Sequence, residues 1–215
     1  MQIGRILNKL KREVLSCNIP AVDLVCMKTA DPYKTLVTAI LSARTKDETT
    51  LSAARRLFLK AKNLCMLEKL KVRDIEKLIY PVGFYKNKAR ALKQMPKIIN
   101  KNFNGKIPDT FENLIELPGV GRKTANLVLA VSFNKHAICV DTHVHRIMNR
   151  IGYVKTETPH ETEIELRKKL PKKYWRSINS ILVAFGQNIC RPVSPFCSKC
   201  VIRKYCNKVG VKRRR

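Results

Sequence analysis

The sequence predicts an all-α protein. Three observations carry that expectation: apolar residues recur at helical spacing, capping signals stand where those segments begin, and no run alternates polar and apolar residues as a half-buried strand does. An apolar fraction of 45% in 215 residues is enough for a real core in one large domain or two small, closely packed ones.

Ile3, Ile6, Leu7, Leu10 and Val14 put one apolar stripe on a helix over residues 3 to 16, with Lys and Arg on its other face. Asp31-Pro32 supplies an N-cap and a proline at the first helical position, and Leu36 to Leu41 continue as a helix buried nearly all round. That helix ends near residues 42 to 44. Asp47 is placed as the cap of the next, which carries Leu51, Ala54 and Leu57 to about Lys60. A short helix near residues 73 to 79 runs into Pro81-Val82-Gly83-Phe84-Tyr85, and a longer basic helix follows from about Asn87 to Ile99. Pro96 lies inside it and is expected to kink or split it, because proline removes a hydrogen bond and clashes with the preceding turn.

Asp109 is placed as the cap of a helix through Leu114 to Glu116, and Leu117-Pro118-Gly119-Val120-Gly121 breaks the chain before a helix from Arg122 to Phe133. His136 to Val140 reads as extended or loop-like, and Asp141-Thr142 starts the helix that carries His145, Met148 and Arg150. Thr158-Pro159-His160-Glu161 is a capping box that opens a helix to about Lys169. A last helix from about Lys173 to Asn188 delivers the chain to Cys190, and residues 211 to 215 read as frayed.

Charge narrows the partner. Lys and Arg number 44 against 16 Asp and Glu, a formal net charge of +28, and self-repulsion on that scale favours a polyanionic ligand. Nucleic acid is the expected one. No stretch has the length of a membrane span, and the N-terminus alternates charge with apolar residues instead of forming a hydrophobic leader, so the chain reads as soluble and unexported.

Of eight cysteines, four crowd together as Cys190-x6-Cys197-x2-Cys200-x5-Cys206. In a reducing compartment that clustering favours metal over disulfides. Structural zinc usually takes two short knuckles, whereas a single Cys-x2-Cys here lies between longer spacers among apolar Val193, Phe196, Val201 and Ile202, which favours an iron–sulfur centre. Cys17, Cys26, Cys65 and Cys139 stand in apolar contexts and read as small core residues.

The glycines of Leu117-Pro-Gly-Val-Gly-Arg-Lys-Thr-Ala125 allow a tight turn between helices, with backbone amides aimed outward at a helix start. Amides and helix dipole together favour a phosphate there, although a plain inter-helix turn would use the same residues. Lys123 falls in the first turn of the second helix, where the dipole and Arg122 disfavour an ammonium, and that environment suits a neutral amine nucleophile. Asp141, after four apolar or small residues, is the matching acid; the bland alternative is an N-cap. His143 and His145 read as contact or packing residues.

The glycine hairpin with its lysine, the Val140-Asp141-Thr142-His143 segment and the C-terminal cysteine spacing together resemble the endonuclease III family of DNA glycosylases, of the helix-hairpin-helix superfamily. Leu41-Ser-Ala and Gly83-Phe-Tyr with Lys88-Ala agree more loosely. The resemblance implies a two-lobed all-α fold: a six-helix domain over residues 21–134 with the hairpin, a cluster domain from residues 1–20 plus 135–206, and a flexible basic tail, 207–215. It implies one 4Fe-4S cluster on Cys190, Cys197, Cys200 and Cys206, and Lys123 and Asp141 as catalytic residues. DNA contacts are expected at Arg44, Leu117, Gly119, Gly121, Arg122, His143, Arg191 and Lys199, with Arg203 and Lys204 also near the phosphate backbone.

The implied activity is base-excision repair: release of oxidised pyrimidines from duplex DNA, then cleavage 3′ to the abasic site by β-elimination. The partner is double-stranded DNA with damaged bases or abasic sites, met by a monomer in the cytoplasm or nucleoid of a prokaryotic cell. Mismatch glycosylases share the aspartate and cluster but lack the lysine, and the adenine enzymes carry a further domain, whereas here nine residues follow Cys206. A monofunctional mismatch glycosylase and a non-catalytic DNA-binding module are the competing readings. The family often has glutamine after Leu-Ser-Ala, to fill the gap left by the flipped nucleotide; this chain has Arg44.

Overall fold

The computed structural model describes residues 2–17 and 19–215. The chain divides into two compact units, Ala21–Lys135 and Met1–Pro20 with His136–Arg215. All regular structure among the described residues is helical.

The Ala21–Lys135 unit contains α2 (Ala21–Thr29), α3 (Pro32–Ser42), α4 (Asp47–Lys60), α5 (Leu64–Lys69), α6 (Val72–Ile79), α7 (Tyr85–Phe103), α8 (Phe111–Ile115) and α9 (Arg122–Ser132). Eight helices thus stand among its described residues where six were expected, the short α5 among them. At the centre lies α3, packed against α2, α4, α7 and α9, with Leu36, Val37, Ala39, Ile40 and Leu41 all buried. Its threonines fit that apolar setting because Thr35 and Thr38 donate their hydroxyls to the carbonyls of Asp31 and Lys34, 3.0 and 2.7 Å away. Asp31 caps the helix as expected, its Oδ1 accepting from Tyr33 N at 2.9 Å.

Three local expectations change. Asp47 is the first helical residue of α4, not its cap. Thr110 caps α8, while Asp109 is drawn aside by Lys135, whose ammonium lies 2.7 Å from its carboxylate. Pro96 does not split α7, which runs unbroken for 19 residues. Met95, Pro96 and Ile99 are buried and α7 packs against α3, α5 and α6, so burial offsets a defect worth about 3 kcal/mol in an exposed helix.

The other unit is built from α1 (Ile3–Glu13), α10 (Thr142–Ile151), α11 (Pro159–Lys169) and α12 (Ile178–Asn188). Ile3, Ile6, Leu7 and Leu10 of α1 join Val144, Ile147, Met148, Leu182 and Phe185 in one core, so the start of the chain completes a lobe made mostly from its end. The expected helix from Lys173 is shorter. A 3-10 turn at Lys172–Tyr174 precedes α12, because Trp175 tucks back to donate its indole N–H to the Leu170 carbonyl at 2.8 Å.

Residues 207–215 are not a loose tail. Asn207 N and Val209 N donate to the carbonyls of Ile151 and Arg150, and Arg215 exchanges backbone bonds of 2.9 Å with Pro195 and Ser198. These bonds lay the segment along α10 and the cysteine loops. Among the four scattered cysteines Cys139 is buried, Cys17 and Cys26 are half-buried, and Cys65 is exposed instead of filling a core position.

Candidate active site and metal centre

The hairpin is α8, the turn 116–121 and α9. Leu117 is only 2% exposed, so its side chain anchors the turn in the core and leaves just its backbone to meet a ligand. Gly119 has φ +79°, and a Cβ there would stand 3.1 Å from Ala91 Cβ and 3.6 Å from Ile40 of the central helix. Backbone geometry and close packing both require glycine at that position. Gly121 is different: its φ of −102° suits any residue, and a Cβ would meet nothing within 4 Å. It caps α9 without a side chain, at the place where helix amides lack acceptors inside the helix. Open space beside a helix start suits the approach of an anion.

Arg122 follows, its guanidinium 4.7 Å above the Phe111 ring, which ties the second leg of the hairpin to the first. Lys123 is exposed in the first turn of α9. Arg44, also exposed, stands just after α3 with φ +54° and its guanidinium 5.2 Å over Phe84.

Asp141 belongs to the other unit. Ala137, Ile138, Cys139 and Val140 before it are buried, and its Oδ1 accepts from the amides of His143 and Val144, both at 2.9 Å. The bland reading is therefore realised: Asp141 caps α10. Capping also orients the carboxylate, since two amides fix one of its oxygens. His143 is held from its other side, with Nδ1 3.1 Å from an Arg146 nitrogen that also donates to the Cys190 carbonyl at 2.9 Å.

Cys190, Cys197, Cys200 and Cys206 line one pocket, walled by Ile147, Phe185, Phe196 and Ile202. Val193 and Val201 are not part of that lining, and Val193 is 78% exposed. Burial pushes the Cys200 thiol up to about 11 and raises that of Cys206 too; Cys200 also feels the other three cysteines, and Cys206 feels Cys190 and Cys197. Such thiols ionise readily only with positive charge among them. Arg150, buried at 9% exposure, faces the set, with Nη1 3.5 Å from Cys190 Sγ and bonds to the carbonyls of Arg191 and Pro192 at 2.7 and 2.6 Å. Among the described residues no three His, Cys, Asp or Glu converge closely enough to hold a single ion. All four thiols border one largely apolar space, and four cysteine thiolates are the donor set of iron–sulfur clusters. The residues fit an iron–sulfur cluster.

Beside this pocket, Arg191 lies 5.1 Å over the face of Phe196, and Lys199 is exposed on the loop between the second and third cysteines. Residue-by-residue reading missed Lys88, Phe84, Arg146 and Arg150. Lys88 had a signal, being a lysine in the helical series Lys88, Leu92, Met95, Ile99, whereas nothing local marks Arg150 as the cation of the cysteine pocket.

The class follows from comparison with known proteins. Residues 37–172 match the family described as HhH-GPD superfamily base excision DNA repair protein. Endonuclease III of Thermotoga maritima is 46% identical over 179 residues, covering 83% of this chain and 84% of that protein. Endonuclease III of Bacillus subtilis is 34% identical, covering 86% and 84%. Among solved structures, a trapped covalent intermediate of endonuclease III with DNA aligns at a TM-score of 0.86 with 31% identity, covering 96% of this chain and 95% of that one. A thermostable thymine-DNA glycosylase aligns at 0.81 with 25% identity, covering 95% of each. Within the superfamily, the chain belongs to the endonuclease III family.

Proposed function

We propose that this chain releases oxidised pyrimidines from duplex DNA and cuts the strand at the resulting abasic site, with Lys123 as nucleophile and Asp141 as the catalytic acid. The chain is a DNA glycosylase and abasic-site lyase of base-excision repair. One observation carries the residue assignment: Lys123 lies exposed at the start of the helix that follows the hairpin, in a family whose solved relative was trapped as a covalent intermediate with DNA.

A base stacked in the duplex hides its sugar carbon, so the nucleotide must first leave the helix, which costs least for a damaged base. The Lys123 amine then gives its lone pair to C1′, the bond from C1′ to the base breaks, and the base leaves with that electron pair and takes a proton from water. Asp141, as carboxylate, stabilises positive charge growing on the sugar and takes a proton from the attacking amine. Opening of the sugar ring leaves an iminium between Lys123 and C1′. Loss of a proton from C2′ then expels the 3′ phosphate. A hydroxyl nucleophile forms no such iminium and leaves the strand intact.

Cys190, Cys197, Cys200 and Cys206 would hold one 4Fe-4S cluster, whose work when bound is to fix the C-terminal loops. Arg191 and Lys199 on those loops, with Arg203 and Lys204, would then meet the phosphate backbone, and Gly119, Gly121 and Arg122 would hold another phosphate. The partner is double-stranded DNA bound by a monomer, within the nucleoid of a prokaryotic cell.

Borohydride reduction of a reaction on thymine-glycol duplex is the decisive experiment. The expected result is a covalent protein–DNA adduct that Lys123→Gln abolishes. No adduct from the intact protein, or an undiminished one from the variant, overturns the assignment. Brown colour, broad visible absorbance and four irons per chain are expected of the purified protein; a colourless protein containing zinc overturns the cluster.

A further inference from the structure

Lys88 is a buried lysine that the proposed chemistry does not use. It occupies the apolar stripe of α7 one turn before Leu92 and is 8% exposed. Its ammonium is directed at a single loop: Nζ donates to the Leu41 carbonyl at 2.9 Å and the Ala43 carbonyl at 2.6 Å, and lies 3.4 Å from Thr45 Oγ1. The same hydroxyl oxygen accepts from Gly83 N at 3.1 Å. Gly83 is also where the two segments press closest, since a Cβ there would lie 2.5 Å from the Arg44 carbonyl oxygen.

Arg44 stands between these anchors. Its φ of +54° is one a residue with a Cβ adopts only when its surroundings hold it, and its guanidinium lies over Phe84, itself at φ +58°. A helix C-terminus presents unpaired carbonyls and partial negative charge, both of which a lysine satisfies. Burial nonetheless pulls the Lys88 ammonium down to about 8, so the loop keeps its cation against a desolvation cost.

We propose that Lys88 is a positioning residue for Arg44: by tying Leu41, Ala43 and Thr45 together it presets the left-handed turn that presents Arg44 to the base left unpaired when its partner flips out. The inference rests on the glycosylase reading above. It also fixes a preference. The donors of a guanidinium match the O6 and N7 acceptors of guanine, whereas adenine offers a donor at N6, so Arg44 favours lesions opposite guanine. Lys88 touches no DNA in this scheme; it acts through the loop.

Single-turnover release of thymine glycol, opposite guanine or opposite adenine, tests this on the full-length protein. The wild-type chain should act faster opposite guanine. Lys88→Met should slow release opposite guanine by about tenfold and bring the two rates together, Arg44→Ala should do the same, and the double variant should be no slower than Arg44→Ala alone. A retained guanine preference in folded Lys88→Met, or losses that multiply in the double variant, overturns the inference. Should Lys88→Met fail to fold, Thr45→Val decides: it keeps the buried ammonium and its two carbonyls but removes the shared hydroxyl, and a weakened guanine preference is expected where an unchanged one refutes. A wild-type protein that releases no base overturns the glycosylase reading and this inference with it; one that releases base without regard to the opposite base overturns this inference alone.

Discussion

The hairpin around Gly119 and the loops around Cys200 are held by opposite means. Leu117 is buried, Gly119 is locked by φ +79° and by contact with Ala91 and Ile40, and Arg122 stacks on Phe111. Every one of those contacts comes from the chain itself. The cysteine pocket brings together four thiols, two of which, Cys200 and Cys206, burial makes reluctant to ionise, with the buried Arg150 beside Cys190. The cluster proposed for this pocket would supply the positive charge those two thiols need to ionise. The first region is therefore held by packing, whereas on the proposed function the second would take part of its stability from the cluster it binds.

Variants can break that contrast from either side. Lys123→Gln should have the largest effect on activity, abolishing the borohydride adduct, while thermal unfolding stays within about 0.5 kcal/mol of the parent because the residue is exposed. Cys200→Ser should do the reverse. We expect loss of visible absorbance, weaker DNA binding and a drop in stability of several kcal/mol, on the order of a quarter of the ~10–16 that structural zinc contributes in zinc-finger peptides; absorbance, titration with duplex and calorimetry read the three.

Gly119→Ala and Gly121→Ala sharpen the comparison within the hairpin. The first forces a Cβ into a left-handed residue 3.1 Å from Ala91, and denaturant titration should show a loss of about 1–3 kcal/mol. Gly121→Ala meets open space and gives up only the N-cap preference for glycine over alanine, so stability should fall by about 0.5–1 kcal/mol. If its backbone receives a phosphate, affinity for duplex DNA should nevertheless fall, as fluorescence anisotropy would show.

The smallest effect concerns pH. Lys88 is pulled from 10.5 to about 8 by burial, so between those values the unfolded chain holds the proton that the folded chain has released. Stability should therefore rise with pH from about 8 towards 10, by whatever part of that slope Lys88 supplies. Urea titrations at pH 7.5 and 9.5 on wild type and Lys88→Met check it: the rise should shrink in the variant.

Local rules made much of this molecule legible. Asp31 and Thr158 cap the helices they were expected to cap, because a capping side chain reaches amides only two or three residues away. The same short reach explains Asp141, whose cap and whose proposed acid role both depend on being the residue before α10. Where a remote partner competes, local reading fails: Asp109 is taken by Lys135 and Thr110 caps α8 instead. Pro96 is the same lesson in the backbone, a helix breaker by itself and an interior residue of α7 once α3, α5 and α6 cover it.

By itself, then, the sequence determined the helical class, the glycine turn with Lys123 after it and the cysteine spacing, since periodicity, turn chemistry and ligand spacing are all properties of neighbouring residues. Only the tertiary structure decided that Leu117 faces inward, that Arg150 answers the cysteines, that residues 207–215 are pinned and that Lys88 holds the Arg44 loop. Those four depend on which distant segment supplies the burial or the acceptor. Burial and pairing across dozens of residues are set by packing, which no window of neighbouring residues contains.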